Sequence, residues 1–189
     1  WSVGIHGTFT VQPIHVALYS ALNVANLQYA AQAGTVAGSP YPITWFTLFE
    51  NYGCIGGTGN TLALIVAILI LSKKSNWKRD DYTKTAKLSL IPGLLCINEP
   101  IIFGMPIVLN PIMAIPFVIA NITMAIVTYA STYIGLVPVS MGVEVPWTTP
   151  PIISGLLIGG WRVALWQFVM IVVSFVIYLP FIKKIDTLE

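Results

Sequence analysis

Residues 88–111, LSLIPGLLCINEPIIFGMPIVLNP, constrain the fold more than any other stretch. The run is apolar on both sides of one carboxylate, Glu99, which is flanked by Asn98 and Pro100. Pro92, Gly93, Pro100, Gly104, Pro106 and Pro111 punctuate it. Proline removes a backbone donor and crowds the preceding turn, so one long helix cannot run through this segment. A carboxylate inside an apolar run is expensive in lipid unless it faces protein or water. Interrupted backbone at membrane depth is tolerated under the same condition. The segment therefore reads as a re-entrant helical hairpin, with Glu99 near its tip and a polar cavity beside it.

That reading requires a membrane, and the composition supplies one. The 189 residues are 56% hydrophobic and 8% charged, against about 25% charged in a soluble domain. A soluble enzyme is excluded on this ground. The net charge of +2 is too small to attract nucleic acid. Cys54 and Cys96 lie in apolar or glycine-rich surroundings without metal-site spacing, and read as small buried side chains. Neither a metal nor a cofactor is expected. The chain opens at Trp1 with no basic leader, and reads as the carboxy-terminal piece of something longer.

Taken in order, the chain alternates crossings with broken segments. His6 sits between Gly4 and Gly7, which let the backbone leave helical geometry close to a ligand. Residues 14–33 have the length of most of a crossing, but Asn23, Asn26, Gln28 and Gln32 predict one face on a cavity. A loop over 34–42 leads to Trp45, Phe46, Phe49 and Tyr52 around Glu50, a composition suited to a membrane-interface belt. Gly56, Gly57 and Gly59 predict a non-helical turn before a helix over 61–71. Counted from Ile55, that run is just long enough to span, since a crossing takes about 20 residues. The turn lacks the lysine and hydroxyl of a phosphate loop, and its amides suit a polar solute.

Residues 73–87 hold six of the nine basic residues (Lys73, Lys74, Lys78, Arg79, Lys84 and Lys87), which predicts a cytoplasmic loop. Residues 112–133 and 163–182 predict full crossings. Residues 135–160 form a second broken segment, with Pro138, Gly142, Glu144, Pro146, Pro150 and Pro151. If both broken segments return to the side they entered, Lys183 and Lys184 fall in the cytoplasm with the basic loop; two full crossings give the same parity. The breaks favour two re-entrant helical hairpins, a pairing typical of a transporter's binding site. The fold class is thus an all-α integral membrane protein.

Glu99 is the first candidate for chemistry. Asn98 adds a donor and an acceptor, and together they suit a hydroxyl-rich, uncharged ligand. His6 can donate or accept near neutral pH, and His15 offers the same groups one stretch later. Trp147 can stack on the apolar face of a sugar or anchor at the membrane interface. Arg162 reads as snorkelling to the headgroups.

The motifs GIHG at residues 4–7, GGTGNTLAL at 56–64 and KLSLIPGLLCINEPIIFGMPIVLNP at 87–111 resemble enzyme IIC, the membrane permease of the bacterial phosphotransferase system. The branch it is most similar to is the lactose/cellobiose/diacetylchitobiose group. The resemblance implies that residues 1–189 are the carboxy-terminal, substrate-binding half, and that an absent amino-terminal half makes a homodimer in the bacterial inner membrane. It implies a multi-pass permease that imports a disaccharide while enzyme IIB phosphorylates it. Phosphate would arrive from phosphoenolpyruvate through enzyme I, HPr and enzyme IIA. The phosphocysteine would belong to enzyme IIB, so Cys54 and Cys96 are not given that role. By the same resemblance Glu99 accepts a bond from the hydroxyl to be phosphorylated and helps remove its proton. His6 or His15, Asn98, Trp147 and the turn of Gly57, Thr58 and Asn60 line the sugar pocket. The competing expectation is a proton-coupled carrier in which Glu99 and His6 form a relay.

Overall fold

The computed structural model describes residues 1, 4–51 and 55–187, with the backbone alone for Glu50 and Asn51. Cys54 and Tyr52 lie outside the described residues, as does the side chain of Glu50. Among the described residues the chain is helical, with no strand.

Helix α1, Gly7–Ala33, is 27 residues long and begins on a histidine cap: Phe9 N–H donates to His6 Nδ1 at 3.2 Å. Its polarity is inverted relative to a soluble helix. Ile14, Leu18, Val24 and Leu27 are exposed, whereas Asn23 and Asn26 are buried. An outward apolar face of this extent fits contact with lipid or with further protein. Asn26 uses its whole amide to fold the next loop back, donating to Tyr41 O at 2.6 Å and accepting from Tyr41 N–H at 3.1 Å. A π-helical turn at Phe46–Asn51 follows.

Helix α2, Thr61–Leu71, has 11 residues, or about 17 Å at 1.5 Å per residue. This corrects the expectation of a span counted from Ile55. Gly56, Gly57, Gly59 and Asn60 all have positive φ, so the backbone before Thr61 cannot prolong the helix. Leu64, Ile65 and Ile68 are fully buried, and α2 is the centre of the core rather than a lipid-facing crossing.

Helix α3, Asp80–Leu94, starts at the basic loop. Asp80 and Asp81 occupy its first turn, where the helix dipole favours negative charge. The Arg79 guanidinium bonds Asp81 at 2.9 Å and holds its carboxyl below the usual carboxylate range. α3 ends in a Schellman turn: Cys96 N–H donates to Gly93 O at 3.1 Å and Ile97 N–H to Pro92 O at 2.9 Å. Cys96 takes the left-handed position, φ 62°, that glycine normally fills. The chain reverses there into α4, Glu99–Gly104, which lies against α3; a Cβ on Gly104 would meet Thr85 Cγ2 at 2.6 Å.

Helix α5, Pro111–Tyr133, is 23 residues long and capped by Asn110, whose Oδ1 accepts from Ile112 and Met113 N–H at 3.0 and 3.3 Å. Helix α6 is Ile153–Gly159 and helix α7 is Trp161–Thr187. α5 and α7 are the two helices long and apolar enough to cross a membrane among the described residues. Trp166 Nε1 donates to Thr128 Oγ1 at 3.1 Å between them, and Tyr178 OH donates to Gly59 O at 2.5 Å, tying α7 to the turn before α2.

The second broken segment departs from the expected helical hairpin. Its first limb, residues 136–146, carries no helix. Pro138 and Pro146 lack donors, and Gly135 and Gly142 take positive φ. The Arg162 guanidinium, expected to reach the headgroups, donates to Gly135 O and Leu136 O at 3.1 and 2.8 Å and closes the end of α5. The basic loop and the end of α7 share one pole of the molecule, because Lys78 N–H donates to Asp186 Oδ1 at 2.9 Å.

Candidate functional site

Both broken segments, the glycine turn and the start of α1 converge on one cavity of about 210 Å³. The α3–α4 reversal supplies Cys96, Asn98 and Glu99; the limb before α6 supplies Glu144, Trp147 and Thr149; the turn supplies Gly57 and Thr58. His6 comes from the cap of α1, Thr8 and Gln12 from α1 itself, Phe49 from the π-helical turn, Ser154 from α6 and Gln167 from α7. The two broken segments touch where Cys96 Sγ lies 3.7 Å from Thr149 O.

Glu99 is the first residue of α4, and its Oε1 lies 3.2 Å from His6 Nε2. The cap fixes which proton is where. Nδ1 accepts from Phe9 N–H, so it carries no proton; the neutral ring must carry its proton on Nε2 and donate it to Glu99. The ring is held between Trp1 and Phe9, each with centroids 4.1 Å away. The pair is half-open to solvent, with side-chain exposure of 31% for His6 and 40% for Glu99.

Asn98 holds the reversal to the glycine turn by donating from Nδ2 to Thr58 O at 2.8 Å. Thr58 Oγ1 in turn sits 2.8 Å from Thr8 Oγ1 on α1. A Cβ on Gly57 would stand 2.9 Å from both Asn98 Cβ and Cys96 O, and its φ is +89°. Only glycine lets the two backbones approach this closely.

The opposite wall is built by buried amides. Asn23 Nδ2 donates to Glu144 Oε1 at 3.0 Å, while Asn23 Oδ1 accepts from Thr44 Oγ1 at 3.4 Å. Gly142 lets that limb lie against α1, since a Cβ there would overlap the Asn23 carbonyl. Gln167 Oε1 accepts from Ile152 N–H at 2.6 Å and Gly155 N–H at 3.1 Å, and Nε2 donates to Ser154 Oγ at 3.0 Å. These bonds satisfy the amino-terminal amides of α6 that its own turns leave unpaired.

His6, Gly57, Thr58, Asn98, Glu99 and Trp147 thus come together at the cavity, Trp147 at its mouth with 66% exposure. Asn60 does not line it: the residue is buried behind the turn, where its Oδ1 accepts from Ile55 N–H at 2.9 Å. Nor does His15, which lies further along α1 with its ring 3.8 Å from that of Trp45, beside a neighbouring hollow. Gln12, Thr149 and Gln167 belong to the cavity and escaped sequence reasoning. The signal for Gln167 was present, as a lone amide within the apolar run of α7. No cluster of three metal-ligating side chains occurs among the described residues.

The cavity combines carboxylates, amides and backbone groups with an exposed indole, and it sits among helices whose outward faces are apolar. Residues 1–121 match the family described as Phosphotransferase system, EIIC, and the chain belongs to that family. It is 38% identical to the oligo-beta-mannoside-specific EIIC component of Bacillus subtilis (strain 168), over 100% of this chain and 41% of that protein. It is 31% identical to the cellobiose-specific EIIC component of Lactococcus lactis subsp. lactis (strain IL1403), again over 100% and 41%. The crystal structure of the transporter ChbC, the IIC component from the N,N'-diacetylchitobiose-specific phosphotransferase system, superposes with a TM-score of 0.88 at 37% identity, covering 100% of this chain and 42% of that one. The chain therefore spans about two-fifths of the length of these relatives. The proton-coupled carrier finds no support among them.

Proposed function

We propose that this chain is the sugar-holding part of a phosphotransferase permease, taking up a disaccharide of the cellobiose, lactose or diacetylchitobiose type for phosphorylation by enzyme IIB. The observation that carries the proposal is the Glu99–His6 pair, 3.2 Å apart in a cavity that no lysine or arginine lines among the described residues. Such a site replaces the water around a neutral sugar without burying a net positive charge. His6 occupies Oε1 of Glu99 and orients the carboxylate, leaving Oε2 to accept from the sugar hydroxyl and take its proton as the phosphoryl group arrives. Asn98 and the backbone of Gly57 and Thr58 meet neighbouring hydroxyls, and Trp147 covers the apolar face of a ring. The phosphoryl group reaches enzyme IIB from phosphoenolpyruvate through enzyme I, HPr and enzyme IIA. The permease is a homodimer in the bacterial inner membrane, its dimer contacts lying in a region other than this chain.

Both broken segments re-enter in this reading. Packing of Gly104 on Thr85 supports a return of α4 toward the basic pole, and the Cys96–Thr149 contact supports two segments meeting from opposite faces. Relative motion of the unit that carries them would expose the cavity to each side in turn. Uptake of labelled disaccharide into vesicles bearing the full protein tests the proposal. Uptake is expected to need phosphoenolpyruvate and the soluble phosphocarriers; uptake driven by a proton gradient without them would refute it.

A further inference from the structure

The cavity holds a second carboxylate with no counterion among the described residues. Glu144 is fixed by Asn23, whose amide can present only its N–H to Oε1 because Oδ1 already accepts from Thr44. Glu144 Oε2 has no partner among the described residues.

Transfer turns a neutral ligand into an anion. The hydroxyl oxygen forms its bond to phosphorus, the donor's bond to phosphorus breaks, and the hydroxyl proton passes to Glu99. Glu99 is then neutral, and a phosphate monoester of charge about −1.5 to −2 at pH 7 stands in its place. Glu144 takes no part in that proton transfer and remains as a second carboxylate on the cavity wall. We infer that Glu144 is a specificity residue that makes the cavity select the uncharged sugar and reject its phosphorylated product, so that transfer itself drives release. The inference rests on the sugar-permease reading. Like charges facing each other in a partly desolvated site oppose binding strongly, and no lysine or arginine on the described cavity wall offsets that repulsion.

The test is equilibrium binding to the full protein of cellobiose, lactose and diacetylchitobiose, each beside its phosphate monoester. Wild type is expected to bind its preferred neutral sugar about 100-fold more tightly than the monoester, a ratio of two decades. Glu144→Gln keeps an oxygen for Asn23 and nearly the same volume. It should narrow the gap between monoester and neutral sugar about tenfold, read as the ratio of the two affinities in the same variant. Glu144→Asp, which keeps the charge, should retain the wild-type ratio. Equal affinity of wild type for sugar and monoester overturns the inference without any variant. An unchanged ratio in Glu144→Gln, or parallel loss of both ligands, overturns it too, since Glu144 would then be an ordinary sugar ligand. Binding of no neutral sugar by wild type would instead remove the permease reading, and this inference with it.

Discussion

Both ring nitrogens of His6 are committed, one to the start of α1 and one to Glu99, and the two duties can be separated by mutation. His6→Ala loses both; loss of a helix cap costs about 1 kcal/mol. His6→Asn keeps a side chain that caps well but is too short to reach Glu99. Thermal unfolding should therefore show Asn recovering most of the stability lost by Ala, while sugar affinity stays weakened in both. Unchanged affinity in both variants would take His6 out of the pocket. Cys96, at φ 62° in the Schellman turn, makes a second residue-scale case. Left-handed backbone costs a side-chain-bearing residue about 1–2 kcal/mol, more if β-branched. Cys96→Val should lower the thermal midpoint and Cys96→Gly should not; the reverse order would contradict the turn. Glu99 and Asn98 were legible from the sequence because a carboxylate and an amide inside an apolar run are costly unless a cavity receives them. His6 and His15 could not be told apart there. His6 had Gly4, Gly7 and the GIHG motif around it, but what separates the two in the structure is that His6 caps α1 and His15 lies within it, which is a matter of where α1 begins.

At the scale of elements, the amides of α1 and α7 hold irregular backbone in place. Gln167→Leu keeps α7 apolar but strands two amides at the start of α6. Each buried donor left unpaired costs about 1–3 kcal/mol, so the variant should unfold at clearly lower temperature and lose sugar binding. A wild-type melting curve would mean that α6 does not depend on this bond. The sequence predicted α5, α7 and the helical part of α2 closely, because apolar length and capping residues specify them locally. It mistook the run from Ile55 for a possible span, since hydropathy does not register the positive φ of Gly56, Gly57, Gly59 and Asn60. It also expected helix in the limb before α6. The prolines that end helices were visible there. The support that makes an extended limb tolerable was not, because it comes from far along the chain: Gly142 lies against α1, and Glu144 and Asn23 are separated by 121 positions.

At the scale of the molecule, the arrangement of poles is open to direct test. The Lys78–Asp186 bond puts the basic loop and the end of α7 together, while Arg162 binds the loop after α5 at the other end. Single cysteines at 78 and 186 should react with an impermeant maleimide from the same side of sealed vesicles, and one at 135 from the opposite side. Labelling of 78 and 186 from different sides would break the proposed two-hairpin topology. The measurement that bears most directly on the central claim compares Glu99→Gln with wild type in sugar binding and in phosphorylation by the complete phosphotransferase chain. Glutamine keeps an acceptor oxygen but cannot take a proton at neutral pH, and a positioned base contributes about 10²–10⁴-fold. A catalytic Glu99 predicts affinity of the wild-type order with phosphorylation at least about 100-fold slower; phosphorylation at the wild-type rate would contradict it.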